Sequence, residues 1–305
     1  MSSTVASTRH EEDVHVRPNV GCRTVEVLDP IQGVRIPTSL FFPTHEPPRP
    51  ERFEPFVLDV ATNAAVAGEE LPLVLISHGT GSSPWLFRQL GAHLAREGFV
   101  VAMIRHPGNN RGDDGLAFTV VNLENRPRHL QLVIEAAFAD ELVGPRLARG
   151  SVGVIGHSIG AYTALAIAGG RPMAGANETK DGIQHPVDVV HDARVAALVL
   201  LAPAAGWYMN EGALAGVNVP ILLRSGDRDE FTQAIHGDII ERGVRGRVDR
   251  RVVVNAGHFS FFSPYPEELK RPELAPSQDP PGFDRRSYQA TLHEEIATFL
   301  RATLS

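Results

Sequence analysis

Apolar residues along this chain fall into two patterns, short β-branched runs and longer stretches with helical spacing. Val25-Glu26-Val27-Leu28 and Thr38-Ser39-Leu40-Phe41-Phe42 predict two antiparallel strands joined through Asp29-Pro30 and Gly33. Residues 43–55 hold five prolines and read as a loop, and residues 56–60 predict a short edge strand. From Leu71 onward strands and helices alternate. Leu73-Val74-Leu75-Ile76-Ser77 is the kind of continuous apolar run that is buried on both faces of a parallel sheet. The helix after it turns Leu86, Leu90, Leu94 and Ala95 to one side. Further strands are expected at 99–104, 152–155, 195–201, 221–223 and 252–254. Further helices are expected at 128–143 (entered through Asn125-Arg126-Pro127), 159–168, 231–242 and 284–301.

This order predicts an α/β fold: a mostly parallel central sheet, antiparallel strands at its N-terminal end, and helices on both faces. No repeat or low-complexity linker divides the chain, so residues 21–305 are expected to form one domain after a disordered leader over 1–20. Three insertions stand out, at about 171–192, 204–219 and 260–283. Each leaves or rejoins the C-terminal side of the sheet, where open α/β sheets bind ligands.

Charge and composition narrow the partners. The 305 residues carry a formal net charge of −7, which gives no reason to expect nucleic acid or an anionic membrane. The arginines between 242 and 251 are interrupted by Asp249 and by valines, and read as a solvated helix end and loop. Cys22 is the single cysteine, so no intrachain disulfide and no cysteine-based metal site can form. The first 16 residues lack the apolar core of a signal peptide, and no apolar run approaches membrane-spanning length. A cytoplasmic protein that acts on a small molecule is the expectation; oligomeric state is left open.

The chemistry lies in Gly156-His157-Ser158-Ile159-Gly160. This pentapeptide follows the apolar strand 152–155 and opens directly into an apolar helix, the setting of a nucleophile elbow. Glycines are needed there because the serine sits on a tight turn where side chains would crowd backbone. A dinucleotide-binding loop needs Gly-x-Gly-x-x-Gly, which residues 153–160 do not have. A serine nucleophile needs a base, and His258 follows the last strand in Val254-Asn255-Ala256-Gly257-His258. His293 is expected on the exposed side of the last helix, and His157 points elsewhere on the elbow. For the orienting acid, Asp227, Asp229 and Glu230 compete at the end of strand 221–223. The usual spacing, a glycine with the acid three positions later, selects Asp229. Backbone N–H groups of Ile159 and of Thr80, in His78-Gly79-Thr80-Gly81, are candidates for the oxyanion hole. His157, Asn109, Trp207, Tyr208 and Phe259 are candidate pocket residues. No histidine–glutamate pair has zinc-ligand spacing, and neither a cofactor nor a metal is expected.

Several motifs recur together and in order: Val27-Leu28-Asp29-Pro30, Phe42-Pro43, Ser77-His78-Gly79-Thr80-Gly81, His106-Pro107-Gly108, the elbow, and Gly257-His258-Phe259. In this the chain resembles the bacterial α/β-hydrolases grouped as predicted dienelactone hydrolases, which are related to the platelet-activating-factor acetylhydrolases. The resemblance runs from about residue 22 to the C-terminus. It implies an α/β-hydrolase fold and a cofactor-free serine hydrolase of carboxylic esters, with Ser158, Asp229 and His258 as its triad. Two departures shape the expectation. True dienelactone hydrolases use cysteine where this elbow has Ser158, and the 171–192 insertion is too polar for an apolar docking lid. A small or medium soluble ester or lactone is the expected substrate. The alternatives are an amidase or acyltransferase on the same triad, or a binding protein without catalysis.

Overall fold

The computed structural model describes residues 17–304. Strands β1 (Asn19–Asp29) and β2 (Val34–Thr44) form the expected antiparallel hairpin. Asp29 closes its turn by accepting the Ile31 and Gln32 N–H groups at 2.9 and 3.1 Å, and Gly33 supplies a φ of 70°. The leader expected over 1–20 lies outside the described residues as far as residue 16. Beyond that the expectation is corrected: β1 already begins at Asn19, because Val20 is buried beside Phe41 and Phe56. The loop expected over 43–55 also needs correction. Residues in it form β3 (Arg49–Phe53), paired antiparallel with β4 (Phe56–Thr62). Pro50 is tolerated because β3 is the outermost strand.

The remaining strands are β5 (Leu71–Ser77), β6 (Val100–Ile104), β7 (Leu147–Ser158), β8 (Val195–Pro203), β9 (Ile221–Gly226) and β10 (Val248–Val253). They complete a ten-stranded sheet in the order β10-β9-β8-β7-β5-β6-β2-β1-β4-β3, parallel from β10 through β6. Helices α1 (Arg88–Arg96) and α5 (Arg285–Leu304) cover one face. Helices α2 (Val120–Ala139) and α3 (Ile159–Ile167) cover the other, and α4 (Ala234–Gly243) follows β9. After β5 the chain steps to β6 on one side and then crosses to β7 on the other. The carboxyl ends of β5 and β7 therefore flank a topological switch point, where such sheets hold ligands.

Helix α2 starts eight residues earlier than its pattern predicted, with Pro127 inside it. A proline lacks the N–H that would bond the carbonyl four residues back. Here that carbonyl, Leu123 O, instead accepts the Tyr162 hydroxyl at 3.1 Å, and Thr119 caps the true start by accepting the Asn122 N–H. A tertiary partner thus replaces the missing helical bond. His293 also departs from expectation: it is buried, packs against His93, and bonds Gln289 Oε1 at 2.7 Å. Among the described residues no helix is long and apolar enough to cross a membrane.

Candidate active site

Ser158 ends β7 and precedes α3, with φ 54° and ψ −122°. A non-glycine residue held at positive φ is costly unless its surroundings fix it, and such strain clusters at functional turns. The fixing is visible in the glycines. A Cβ on Gly156 would lie 2.2 Å from Gly160 O, and one on Gly160 would lie 2.0 Å from Ser77 O. Both distances are impossible, so the elbow can close against β5 only with glycine at these two positions. Ser158 Oγ has no hydrogen-bond partner among the described residues and faces the same cavity as His258.

Asp229 and His258 meet at the ends of β9 and β10. His258 Nδ1 lies 2.9 and 3.1 Å from the two Asp229 carboxylate oxygens. Of the three competing acids only Asp229 is buried, at 6% exposure; Asp227 and Glu230 face solvent. The Phe231 and Thr232 N–H groups donate to Asp229 Oδ1 at 2.9 and 2.8 Å, and Thr232 Oγ lies 2.7 Å from Oδ2. Burial pushes the Asp229 carboxyl up, but the bonds from His258 and Thr232 outweigh it and hold it below the ordinary carboxylate range. An ionised Asp229 accepts the Nδ1–H of His258 and leaves the Nε2 lone pair free as a base. The two turns are locked together, since a Cβ on Gly226 would meet Ala256 O at 2.1 Å. His157 adds a further lock: its Nε2–H donates to the His258 carbonyl at 2.9 Å, and burial lowers its pKa to about 3.

The loop 78–81 leaves β5 beside the elbow, and Gly79 sits close enough that a Cβ would lie 3.2 Å from Ser158 Cβ. The Thr80 N–H bonds nothing among the described residues, and Ile159, first residue of α3, has no intrahelical acceptor for its own. Both residues line the cavity. Two unpartnered donors at a developing negative charge are the requirement of an oxyanion hole.

Behind this loop lies a buried polar network that the sequence reading missed. Arg126 is fully buried on α2 and donates to Thr163 Oγ at 3.0 Å, Asn109 Oδ1 at 2.6 Å, Ser77 Oγ at 3.3 Å and the His78 carbonyl. Burial draws its pKa down to about 9. From Ser77 the bonds continue in one direction through neutral rings. Ser77 Oγ–H donates to His106 Nε2 at 2.9 Å, His106 Nδ1–H to His129 Nδ1 at 3.1 Å, and His129 Nε2–H to Gln32 Oε1 at 2.9 Å. A signal for Arg126 existed: it lies three residues after Leu123 and four before Leu130 on the buried stripe of α2. Starting that helix at residue 128 hid it.

This network makes stability pH-dependent. Burial, foremost, lowers the pKa of His78 to about 3, that of His106 well below its ordinary value, and that of His129 as well. In the unfolded chain these rings titrate near 6.5. Below that pH the unfolded state takes up protons that the folded state refuses. The stabilisation is therefore complete above about pH 6.5 and is lost progressively as pH falls toward the folded values. The unfolding free energy from urea melts should hold between pH 7.5 and about 6.5 and then fall toward pH 5, by up to about 1.4 kcal/mol per pH unit for each ring. A free energy that stays flat below about pH 6.5 would contradict the neutral network.

A cavity of about 520 Å³ opens over Ser158 and is lined by Thr80, Ile159, His258, Trp207 and Phe259, with His157 beneath. Two expected pocket residues are not in it. Asn109 is buried in the Arg126 network, where Asp114 and Asn122 take its remaining bonds. Tyr208 is buried against Tyr162 and donates its hydroxyl to the Tyr162 carbonyl at 2.8 Å. Both were displaced by buried polar partners outside the cavity. Arg111, in the loop after 99–104, also lines it, and lining residues that the sequence does not single out include Phe118, Phe231 and Tyr265.

Comparison with known proteins agrees with this architecture. Residues 73–215 match the model of the Alpha/beta hydrolase family. The ferulic acid esterase of Streptomyces cinnamoneus superposes with a TM-score of 0.69 at 20% identity, over 95% of this chain and 91% of that one. The dienelactone hydrolase of Anabaena variabilis superposes with a TM-score of 0.54 at 17% identity, over 95% and 100%. No curated protein matches the chain in sequence. These likenesses give the chain the α/β-hydrolase fold.

Proposed function

We propose that this protein is a serine hydrolase that cleaves a carboxylic ester, a small or medium soluble ester or lactone, through an acyl-enzyme. One observation carries the reading: the buried Asp229 lies 2.9 Å from His258 Nδ1, and His258 lines one cavity together with Ser158, a serine held at positive φ. Ser158 Oγ attacks the carbonyl carbon while His258 Nε2 takes its proton. The Thr80 and Ile159 N–H groups receive the charge on the carbonyl oxygen. His258 returns the proton to the leaving alcohol, and water, activated by the same ring, releases the acid. That two proteins of this fold are named an esterase and a dienelactone hydrolase supports an ester or lactone over an amide. The direct test is a fluorophosphonate probe followed by peptide mapping. Labelling of Ser158, abolished by prior unfolding, is the expected result. Labelling of another serine would refute the assignment.

A further inference from the structure

The cavity over Ser158 is far more aromatic than the chain. Six of its twenty lining residues are Phe, Tyr or Trp, against 7% of the sequence: Phe118, Trp207, Phe231, Phe259, Phe262 and Tyr265. Core packing accounts for Phe262, which is buried and sits edge-on to Phe87. It does not account for Phe118. That residue directly precedes the Thr119 cap of α2, where an apolar side chain commonly packs against the fourth helical residue, here Leu123. Instead Phe118 has a φ of 60°, is 70% exposed, and has no aromatic partner among the described residues. A bulky residue in the left-handed region with its ring turned to an open cavity is strained and unpartnered.

Trp207 is fixed with comparable care. The Glu178 carboxylate accepts its indole N–H with both oxygens, at 3.0 and 2.8 Å. The ring also packs edge-on against Tyr162 at 4.9 Å. Glu178 reaches the Phe118 side as well, because its carbonyl accepts the Val120 N–H at 3.3 Å. The insertion 171–192 contributes no lining residue, yet through Glu178 it connects both aromatic walls.

Resting on the esterase reading above, we propose that the site selects esters bearing a planar aromatic ring, which Phe118 and Trp207 engage as specificity residues. Glu178 acts as the positioning residue that sets the Trp207 ring. Aromatic pairs gain from offset-stacked and edge-to-face contact beyond the area they bury, which a saturated ring of similar size cannot match. Aliphatic lining would have served an alkyl chain equally well, and the larger aliphatic side chains here are Leu86, Ile159 and Leu274, beside the small Ala204 and Pro276.

The test compares rings matched in chain and leaving group. Methyl 3-phenylpropanoate is set against methyl 3-cyclohexylpropanoate, and 2-phenylethyl acetate against 2-cyclohexylethyl acetate. In at least one pair the aromatic ester should have a kcat/KM at least roughly tenfold higher. Phe118→Ala and Trp207→Leu should each bring that ratio close to one. Glu178→Ala should do the same chiefly through KM, whereas Glu178→Gln, which keeps an acceptor, should retain the preference. The same four esters are titrated into Ser158→Ala by tryptophan fluorescence, so ring selectivity is read as Kd even without turnover. Equal rates and equal Kd values in both pairs overturn the proposal, as does a ratio untouched by both Phe118→Ala and Trp207→Leu. If no ester is cleaved but the aromatic ones bind selectively, the esterase reading fails and ring recognition stands.

Discussion

Ser158→Ala is expected to lower kcat/KM on a short-chain ester by at least about 10³-fold while leaving the unfolding midpoint in place. The rate loss is large because the nucleophile is the one group whose work no neighbour can assume. What remains is the catalysis provided by the oxyanion donors and by substrate binding. The unchanged stability follows from the turn itself. Ser158 already has a Cβ at φ 54°, so alanine adds no strain, and its hydroxyl has no partner to lose among the described residues. The stability change should stay within about 0.5 kcal/mol. Steady-state kinetics with a urea melt on the same preparation separates the two effects. Activity retained within tenfold would remove Ser158 from the mechanism. Activity lost together with the fold would mean that the hydroxyl is structural.

The parts of the site legible in the sequence are those whose constraints are local. Gly156 and Gly160 are dictated by backbone within a few residues and by the strand beside them, so a five-residue pattern between a strand and a helix already carries the steric demand. The spacing from Gly226 to Asp229 is local too, and burial then separates Asp229 from its exposed neighbours Asp227 and Glu230. Where long-range contacts decide, the pattern misleads. Pro127 marks a helix start by its own chemistry, and only the Tyr162 hydroxyl, 39 positions away from the bonded Leu123, lets the helix run through it. Asn109 stands in a loop near the cavity, and only Arg126 shows why it is drawn inward. His293 has no local reason to be buried until α1 brings His93 against it. Phe118 looks like an ordinary loop residue and Phe231 like the first residue of a helix, and their place at the cavity depends on how α2 and the segment after β9 are placed. Sequence therefore speaks clearly for tight turns whose steric demands are local. It is nearly silent on buried polar networks, whose members come from separate elements.

Asp229→Asn should cost roughly 10³–10⁴-fold in kcat, whereas Asp227→Asn should change it by less than about threefold. The difference does not come from shape, since Asn is nearly isosteric with Asp and can still meet His258 Nδ1 across 2.9 Å. It comes from the direction of the bond. The Asp229 carboxylate only accepts, so it requires Nδ1–H and frees Nε2 to take the serine proton. An amide held by Phe231 and Thr232 N–H through its oxygen would turn its NH₂ toward the ring, because those two donors need an acceptor at that oxygen. His258 would then have to accept at Nδ1 and carry its proton on Nε2, which is the tautomer that cannot act as the base. Asp229→Asn also removes the negative charge that steadies the imidazolium formed during attack. Asp227, exposed at the edge of the same turn, faces neither demand. The two variants, assayed side by side at saturating ester, distinguish an acid that orients the base from one that only lies near it. A greater loss in Asp227→Asn would reassign the acid, and equal small losses would mean that His258 is oriented without a carboxylate.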